Sequence, residues 1–328
     1  MRIAVLGAGA WGTALAMSLA QRHAVTLWAR SPAHCAAMAE AKVNEKYLPR
    51  FLLPPELAIS NDLGAALESA ELALVAVTTA GLRETLRRAH AARHGVPSVW
   101  LCKGFERGEA KLPHQVFEEE VGGHVQSGVL SGPSFAEEVA RGLPTAVTLA
   151  SRDAGFARDT ARALHSRAFR VYSSVDLTGV EVAGAVKNVM AIAAGICDGL
   201  AYGHNARAAL ITRGLAEITR LGVALGGHAE TFMGLAGAGD LILTCTGDLS
   251  RNRRVGLALA QGVALDTVLA ELGHVAEGVS TARELQRMAA RLGVDMPVTE
   301  AVCRVLDDHR EARAAADALL QREPKAER

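Results

Sequence analysis

Residues 3–12 read Ile3-Ala4-Val5-Leu6-Gly7-Ala8-Gly9-Ala10-Trp11-Gly12. An apolar strand-forming run enters G-x-G-x-x-G, and Thr13-Ala14-Leu15-Ala16-Met17 continues as a helix. That order suits a dinucleotide pyrophosphate. Gly7 allows the tight turn, Gly9 lets the backbone approach the phosphates, and Gly12 lets the helix pack closely on the strand. The helix N-terminus adds unpaired N–H groups and a positive dipole end. A secretory leader is the competing reading of an apolar segment behind Arg2, with Ser18-Leu19-Ala20 as its cleavage site. Three glycines at nucleotide-binding spacing, and a second strand Ala24-Val25-Thr26-Leu27-Trp28 at the distance a βαβ unit expects, assign the segment to the fold instead.

Working outward, the first half alternates strand and helix. Apolar strand candidates are 2–7, 24–30, 72–77, 97–102, 127–131, 145–150 and 168–172, with helical stretches such as 32–42, 80–93 and 153–165 between them. Continuous apolar strands alternating with helices predict a parallel sheet covered on both faces. From about Thr178 the pattern is helical throughout: 178–200, 206–224, 251–261, 266–271, 279–292 and 298–309. The expectation is an α/β chain: a Rossmann-type parallel sheet over 1–180, binding the dinucleotide, and a second, all-α substrate domain over 181–328. The active site is expected in the crevice between them.

Bulk properties narrow the function classes. Lys+Arg and Asp+Glu balance at 35 each in 328 residues, so no global field points to nucleic acid or an anionic membrane. The apolar run from Val189 to Cys197 has the length of a buried helix, not of a membrane span. Five scattered cysteines without a C-x-x-C read as reduced thiols in a cytoplasmic protein. The eleven histidines form no ligand pattern with them, and no metal is expected.

Chemistry-bearing residues fall at strand ends and in the helical half. A NAD-specific unit carries an acid at the end of the second strand, where this chain has Ala29-Arg30-Ser31. Arg30 could pair with a 2′-phosphate, which favours NADP, or stack on adenine and accept either cofactor. Lys103 ends the 97–102 strand and points to the ligand crevice, or is a surface turn residue. Ser134 and Glu137 fit S-x-x-E, a capping box that needs no ligand, yet the small Gly132, Ser134 and Ala136 leave room for one. Lys187 and Asn188 are the strongly polar side chains in a long apolar, small-residue helix. A buried Lys is costly unless paired or used, while a snorkelling Lys would reach water. Gly234–Asp240 reads as a Gly-rich loop delivering one carboxylate, with Thr244 one helical turn on. Ser250, Asn252 and the three arginines Arg251, Arg253 and Arg254 could cradle a phosphate at a helix N-terminus, with a solvated face as the alternative reading of Arg253 and Arg254.

Taken in order, these blocks resemble the bacterial NAD(P)-dependent glycerol-3-phosphate dehydrogenases. The resemblance runs through Gly7–Ala16, Tyr47-Leu48-Pro49, Cys102-Lys103-Gly104, Ser131–Glu138, Lys187-Asn188-Val189, Ala209–Glu217, Gly234–Asp240, Leu243–Thr246, Ser250–Arg254 and Ala276-Glu277-Gly278. It implies reversible reduction of dihydroxyacetone phosphate to sn-glycerol 3-phosphate, a precursor of phospholipid backbones. It implies Lys187 as proton donor and acceptor, with Lys103 touching substrate and cofactor and Asp240 orienting Lys187. Gly132, Ser134, Asn188, Thr244, Ser250, Arg251 and Asn252 would bind substrate, with Arg251 on the phosphate. Gly7, Gly9, Ala10, Trp11, Gly12, Arg30, Lys103, Ala136, Arg251, Val275 and Glu277 would bind the cofactor, NADP in preference to NAD. Ala10 stands where many relatives carry Ser, so a side-chain hydrogen bond there is lost.

Two rival readings remain at this point. A two-domain β-hydroxy acid dehydrogenase shares the nucleotide turn and a central helix Lys, but the Gly234–Asp240 and Ser250–Arg254 blocks favour glycerol phosphate. A nonenzymatic dinucleotide sensor would bind NADPH without turnover. The expected partner is a small-molecule substrate, with neither nucleic acid nor membrane embedding. Apolar helices of the second half suit a homodimer face or an interior core equally.

Overall fold

The computed structural model describes residues 1–272, 276–307 and 311–321. The chain divides into two compact units, Met1–Glu106 with Lys111–Glu181, and Arg107–Ala110 with Val182–Arg328. Among the described residues, the first unit is built on an eight-stranded sheet. Its strands lie in the order Phe169–Ser174, Thr145–Ala150, Ser127–Ser131, Ser98–Trp100, Leu72–Val75, Arg2–Leu6, Ala24–Trp28 and Ala58–Ser60. Arg2–Leu6 pairs in parallel with Ala24–Trp28 on one side and Leu72–Val75 on the other. This is where the strand order reverses, the place at which open α/β sheets bind their ligands.

The expected all-parallel sheet needs one correction. Ser127–Ser131 pairs antiparallel with Thr145–Ala150, Val129 opposite Ala150, and Phe169–Ser174 follows that reversed direction. Apolar strands buried on both faces look the same in either direction, so hydrophobic pattern does not report the reversal. Two elements carry no strong pattern and were not anticipated: the three-residue edge strand Ala58–Ser60, and the antiparallel pair Val43–Asn44 with Leu48–Leu52. The core of this unit collects Ile3, Val5, Leu15, Leu19, Leu27, Leu74, Val99, Leu130 and Leu149, all fully or nearly fully buried. Some helix starts carry side-chain caps: Asp153 accepts from Phe156 N to open Ala154–Leu164, and Ser31 accepts from His34 N to open Pro32–Ala41.

The second unit is helical. Its central element is Leu177–Gly199, 23 residues long, which begins just before the division between the units. This bears out the helix expected over 178–200, of which the apolar run Val189–Cys197 is part. By length and a mean hydropathy of 1.5 it could cross a membrane, yet its apolar window is wholly buried within the protein. Small residues explain how other helices reach it. A Cβ at Gly195 would stand 2.0 Å from the Arg253 carbonyl oxygen, and one at Gly256 would stand 2.0 Å from that of Ile192. Only glycine at both positions lets Arg251–Ala260 cross this helix at backbone contact.

Two buried carboxyls act as structural caps. Glu217 accepts from the Val298 and Thr299 N–H groups at 2.6 and 3.2 Å, serving the first turn of Pro297–Asp307 from another helix. Burial raises its pKa to about 7 in spite of those donors. In the first unit, Glu181 accepts from Trp100 Nε1 at 2.9 Å and from the His114 backbone N–H at 2.8 Å, and its other oxygen bonds His114 Nδ1. Burial raises the Glu181 pKa as well.

Candidate functional site

The turn after the first strand has the form its glycines require. Gly7 adopts φ +126°, and a Cβ there would meet the Ala76 carbonyl oxygen at 2.5 Å. A Cβ at Gly12 would lie 2.0 Å from the Gly7 oxygen, so the helix Ala10–Ala20 can approach the strand only with glycine. Nothing stands within 4 Å of a Cβ at Gly9, which caps that helix without a side-chain acceptor. The Ala10, Trp11 and Gly12 N–H groups thus lack an intrahelical acceptor beside open space, a cradle that fits a pyrophosphate. Asn44, fully buried in the short antiparallel pair, braces the turn by donating to Ala8 O at 3.0 Å and Thr13 Oγ1 at 2.7 Å. Sequence reading missed Asn44, whose only signal is a polar residue just before Tyr47-Leu48-Pro49.

Other expected residues of the first unit lie along the same edge of the sheet. Arg30 follows the strand Ala24–Trp28 and is exposed. Lys103 and Gly132 follow the parallel strands Ser98–Trp100 and Ser127–Ser131, and Lys103 Nζ donates to the Gly132 carbonyl at 3.2 Å. Trp11 is half-buried against Phe169, ring centroids 6.2 Å apart, and Ala136 opens the short helix Ala136–Ala140. The capping box expected at Ser134 is absent. Phe135 occupies the cap position, Ser134 Oγ turns back to Gly132 O at 2.9 Å, and Glu137 pairs with Arg141. The hydroxyl's local bond to Gly132 competes with the cap.

In the second unit the expected residues converge on the long helix. Lys187 is buried and donates to Asp240 Oδ1, and also to Thr244 Oγ1 at 2.9 Å. Thr244 Oγ1 in turn donates a hydrogen bond to the Asp240 backbone carbonyl at 2.6 Å. Lys187 therefore does not snorkel to water. The Gly-rich segment before Asp240 is not a loop. Leu235–Gly239 forms a π-helical turn that runs into the α-helix Asp240–Thr246. Glycine's low helix propensity hid it, but Gly237 is needed because a Cβ there would sit 2.1 Å from Phe232 O.

Asn188 Oδ1 accepts from Asn252 Nδ2 at 3.0 Å, and Asn252 Oδ1 accepts from Gly278 N at 3.0 Å. Ser250 caps Arg251–Ala260 by accepting from Arg253 N at 3.2 Å, and Arg251 is exposed beside it. Glu277 begins the helix Glu277–Leu292, and Val275 lies outside the described residues. Arg253 departs from its reading as solvated surface. It is mostly buried and pairs with Asp198 at 2.7 Å and Asp248 at 3.0 Å. Asp198 was not singled out, though its place eleven residues after Lys187 on one helix was the available signal.

A model of the NAD-dependent glycerol-3-phosphate dehydrogenase N-terminus matches residues 2–157, and one of its C-terminus matches residues 176–317. The chain belongs to the NAD-dependent glycerol-3-phosphate dehydrogenase family. A glycerol-3-phosphate dehydrogenase [NAD(P)+] of Nitrosospira multiformis is 61% identical, over 100% of this chain and 99% of the relative. That of Thiobacillus denitrificans is 58% identical over the whole of both chains. The crystal structure of glycerol-3-phosphate dehydrogenase from Coxiella burnetii superimposes with a TM-score of 0.94 at 44% identity, covering 98% of each chain. Membership in this family, over both halves, sets aside the β-hydroxy acid dehydrogenase reading.

Proposed function

We propose that this chain reversibly reduces dihydroxyacetone phosphate to sn-glycerol 3-phosphate with NADPH in preference to NADH. The observation that carries the proposal is the buried Lys187–Asp240 pair, with the Ser250–Asn252 turn bonded through Asn252 to Asn188, the residue beside Lys187, in a chain of this family. In this reading residues 1–180 are the dinucleotide-binding domain and 181–328 the substrate domain. Gly7, Gly9, Ala10, Trp11, Gly12, Arg30, Ala136 and Glu277 hold the cofactor, and Lys103, Gly132 and Ser134 contact substrate.

When bound, the reduced nicotinamide supplies the hydride. The protein's part is the proton and the geometry. As negative charge builds on the ketone oxygen, the Lys187 ammonium stabilises it and delivers a proton from Nζ. In the reverse direction Lys187 takes the proton from the hydroxyl. Asp240 keeps the ammonium charged and aimed, with Thr244 fixing the second N–H direction. Arg251 grips the phosphate with its guanidinium fork, which orients the carbonyl instead of changing its reactivity.

Loss of nicotinamide absorbance on adding dihydroxyacetone phosphate, run with both cofactors on wild type and Lys187→Ala, tests the reading. Cofactor binding without turnover by the wild type would replace it with the sensor reading. The five cysteines, all buried and joined by no disulfide, support a reducing, cytoplasmic setting, where the product would feed phospholipid synthesis. A homodimer is the assembly to be tested by sedimentation.

A further inference from the structure

The helix Leu177–Gly199 carries a second ion pair on the face that carries Lys187. Asp198 follows Lys187 by eleven residues, close to three turns, so the two side chains leave the helix in nearly the same direction roughly 16 Å apart. Asp198 Oδ2 accepts from Arg253 Nε at 2.9 Å and lies 2.7 Å from its Nη2, and Arg207 Nη1 adds a bond at 3.1 Å. The Arg253 and Asp198 side chains are only 11% and 13% exposed. Removing both ions from water costs much of their mutual attraction, so the pair is weak evidence for stability and better evidence for a fixed geometry.

Its place in the fold shows what geometry it fixes. Asn252 and Arg253 are neighbours in the first turn of Arg251–Ala260, pointing about 100° apart. Asn252 is bonded to Asn188 near the middle of the long helix, and Arg253 to Asp198 at its end. The Gly195–Gly256 backbone contact joins the same two helices. With both side chains held, this turn can neither rotate about its axis nor slide along Leu177–Gly199. Arg251, the next residue back, is exposed and makes no hydrogen bond or ion pair with another described residue.

We propose that Asp198 and Arg253 are positioning residues that aim Arg251 at the substrate phosphate and fix its span from Lys187. The proposal rests on the reading of Arg251 as the phosphate ligand. Neither residue touches substrate; both act through the turn they immobilise. Arg253 must be arginine for this, because its fork engages Asp198 at two nitrogens while Nη1 reaches Asp248, which a lysine ammonium cannot reproduce.

Steady-state kinetics of Asp198→Asn and Arg253→Lys test it. The expected result is a KM for dihydroxyacetone phosphate raised about tenfold or more, with kcat within about threefold of wild type and the KM for NADPH unchanged. In an Arg251→Ala background, Asp198→Asn should add nothing further, since the group it aims is gone. An unchanged substrate KM, or an Asp198→Asn effect that persists in full without Arg251, overturns the proposal. If Asp198→Asn fails to fold, Arg253→Lys keeps the charge and reads the same KM-against-kcat split. If the wild type does not reduce dihydroxyacetone phosphate, the functional reading falls instead. The positioning claim is then decided by calorimetric titration with inorganic phosphate, which Arg251→Ala and Asp198→Asn should weaken alike.

Discussion

The Lys187 ammonium donates to the Asp240 carboxylate with both side chains withdrawn from water, at 8% and 1% exposure. A lysine needs such a partner to remain charged at that depth, and a charged lysine is what a developing alkoxide needs. Lys187→Ala should lower kcat by about two to four orders of magnitude. The same change strands Asp240 as a buried charge, at a cost of about 3–5 kcal/mol in stability. Activity should therefore be measured beside a circular dichroism melt, and a folded variant with near-normal turnover would remove Lys187 from the chemistry.

Arg251 stands exposed at the start of a helix capped by Ser250. A charge-assisted bond to phosphate is worth about 1.5–3 kcal/mol, so Arg251→Ala should raise the KM for dihydroxyacetone phosphate about 10- to 100-fold. Its kcat should change far less. The comparison that decides is initial rates across a substrate range at saturating NADPH, where an unaltered KM excludes a phosphate contact.

Arg30 is exposed after the second strand, and the proposed function gives it the cofactor's 2′-phosphate. Arg30→Ala should raise the KM for NADPH by about tenfold while that for NADH stays near wild type. Equal effects on both cofactors would mean that the guanidinium stacks on adenine.

Gly12 and Gly256 sit where a Cβ would fall 2.0 Å from a carbonyl oxygen. Gly12→Ala should abolish dinucleotide binding or folding, and Gly256→Ala should separate the two helices and cost more than about 3 kcal/mol in stability. Thermal melts and NADPH fluorescence titrations of both variants check this, and a wild-type melt for either would contradict the packing.

Glu217 gives a signed pH dependence. Burial lifts its carboxyl to about 7 when folded, against an ordinary value of 4.5 when unfolded. Between those values the folded state holds a proton that the unfolded state has lost, so stability falls as pH rises from about 4.5 to 7, by about 3 kcal/mol in all. Denaturant titrations of wild type and Glu217→Gln across that window should show the slope in the first and its loss in the second.

How much of this was legible depended on the kind of signal. The glycine turn at 7–12 could be read because each glycine answers a separate steric demand. Lys187 could be read because a lone cation in an apolar helix has few uses, and Thr244 because four residues from Asp240 is one turn. The reversal between Ser127–Ser131 and Thr145–Ala150 was silent, since direction leaves no mark on an apolar run. The Ser134 box failed because a hydroxyl has more than one backbone partner within reach, and sequence does not rank them. Arg253 looked like surface because its partner Asp198 lies 55 residues away in the chain.

The π turn Leu235–Gly239 bears on how this site tolerates change in length. Such a turn accommodates one residue more than an α-helix of the same rise. Deleting a single residue there would let the segment close to a regular turn of about the same rotation, so Asp240 would keep its bearing on the lysine. The surplus residue is thus slack that this segment can give up. The α-helix Asp240–Thr246 has no such slack, and losing one residue between Asp240 and Thr244 would turn the threonine about 100° away from its place beside the lysine.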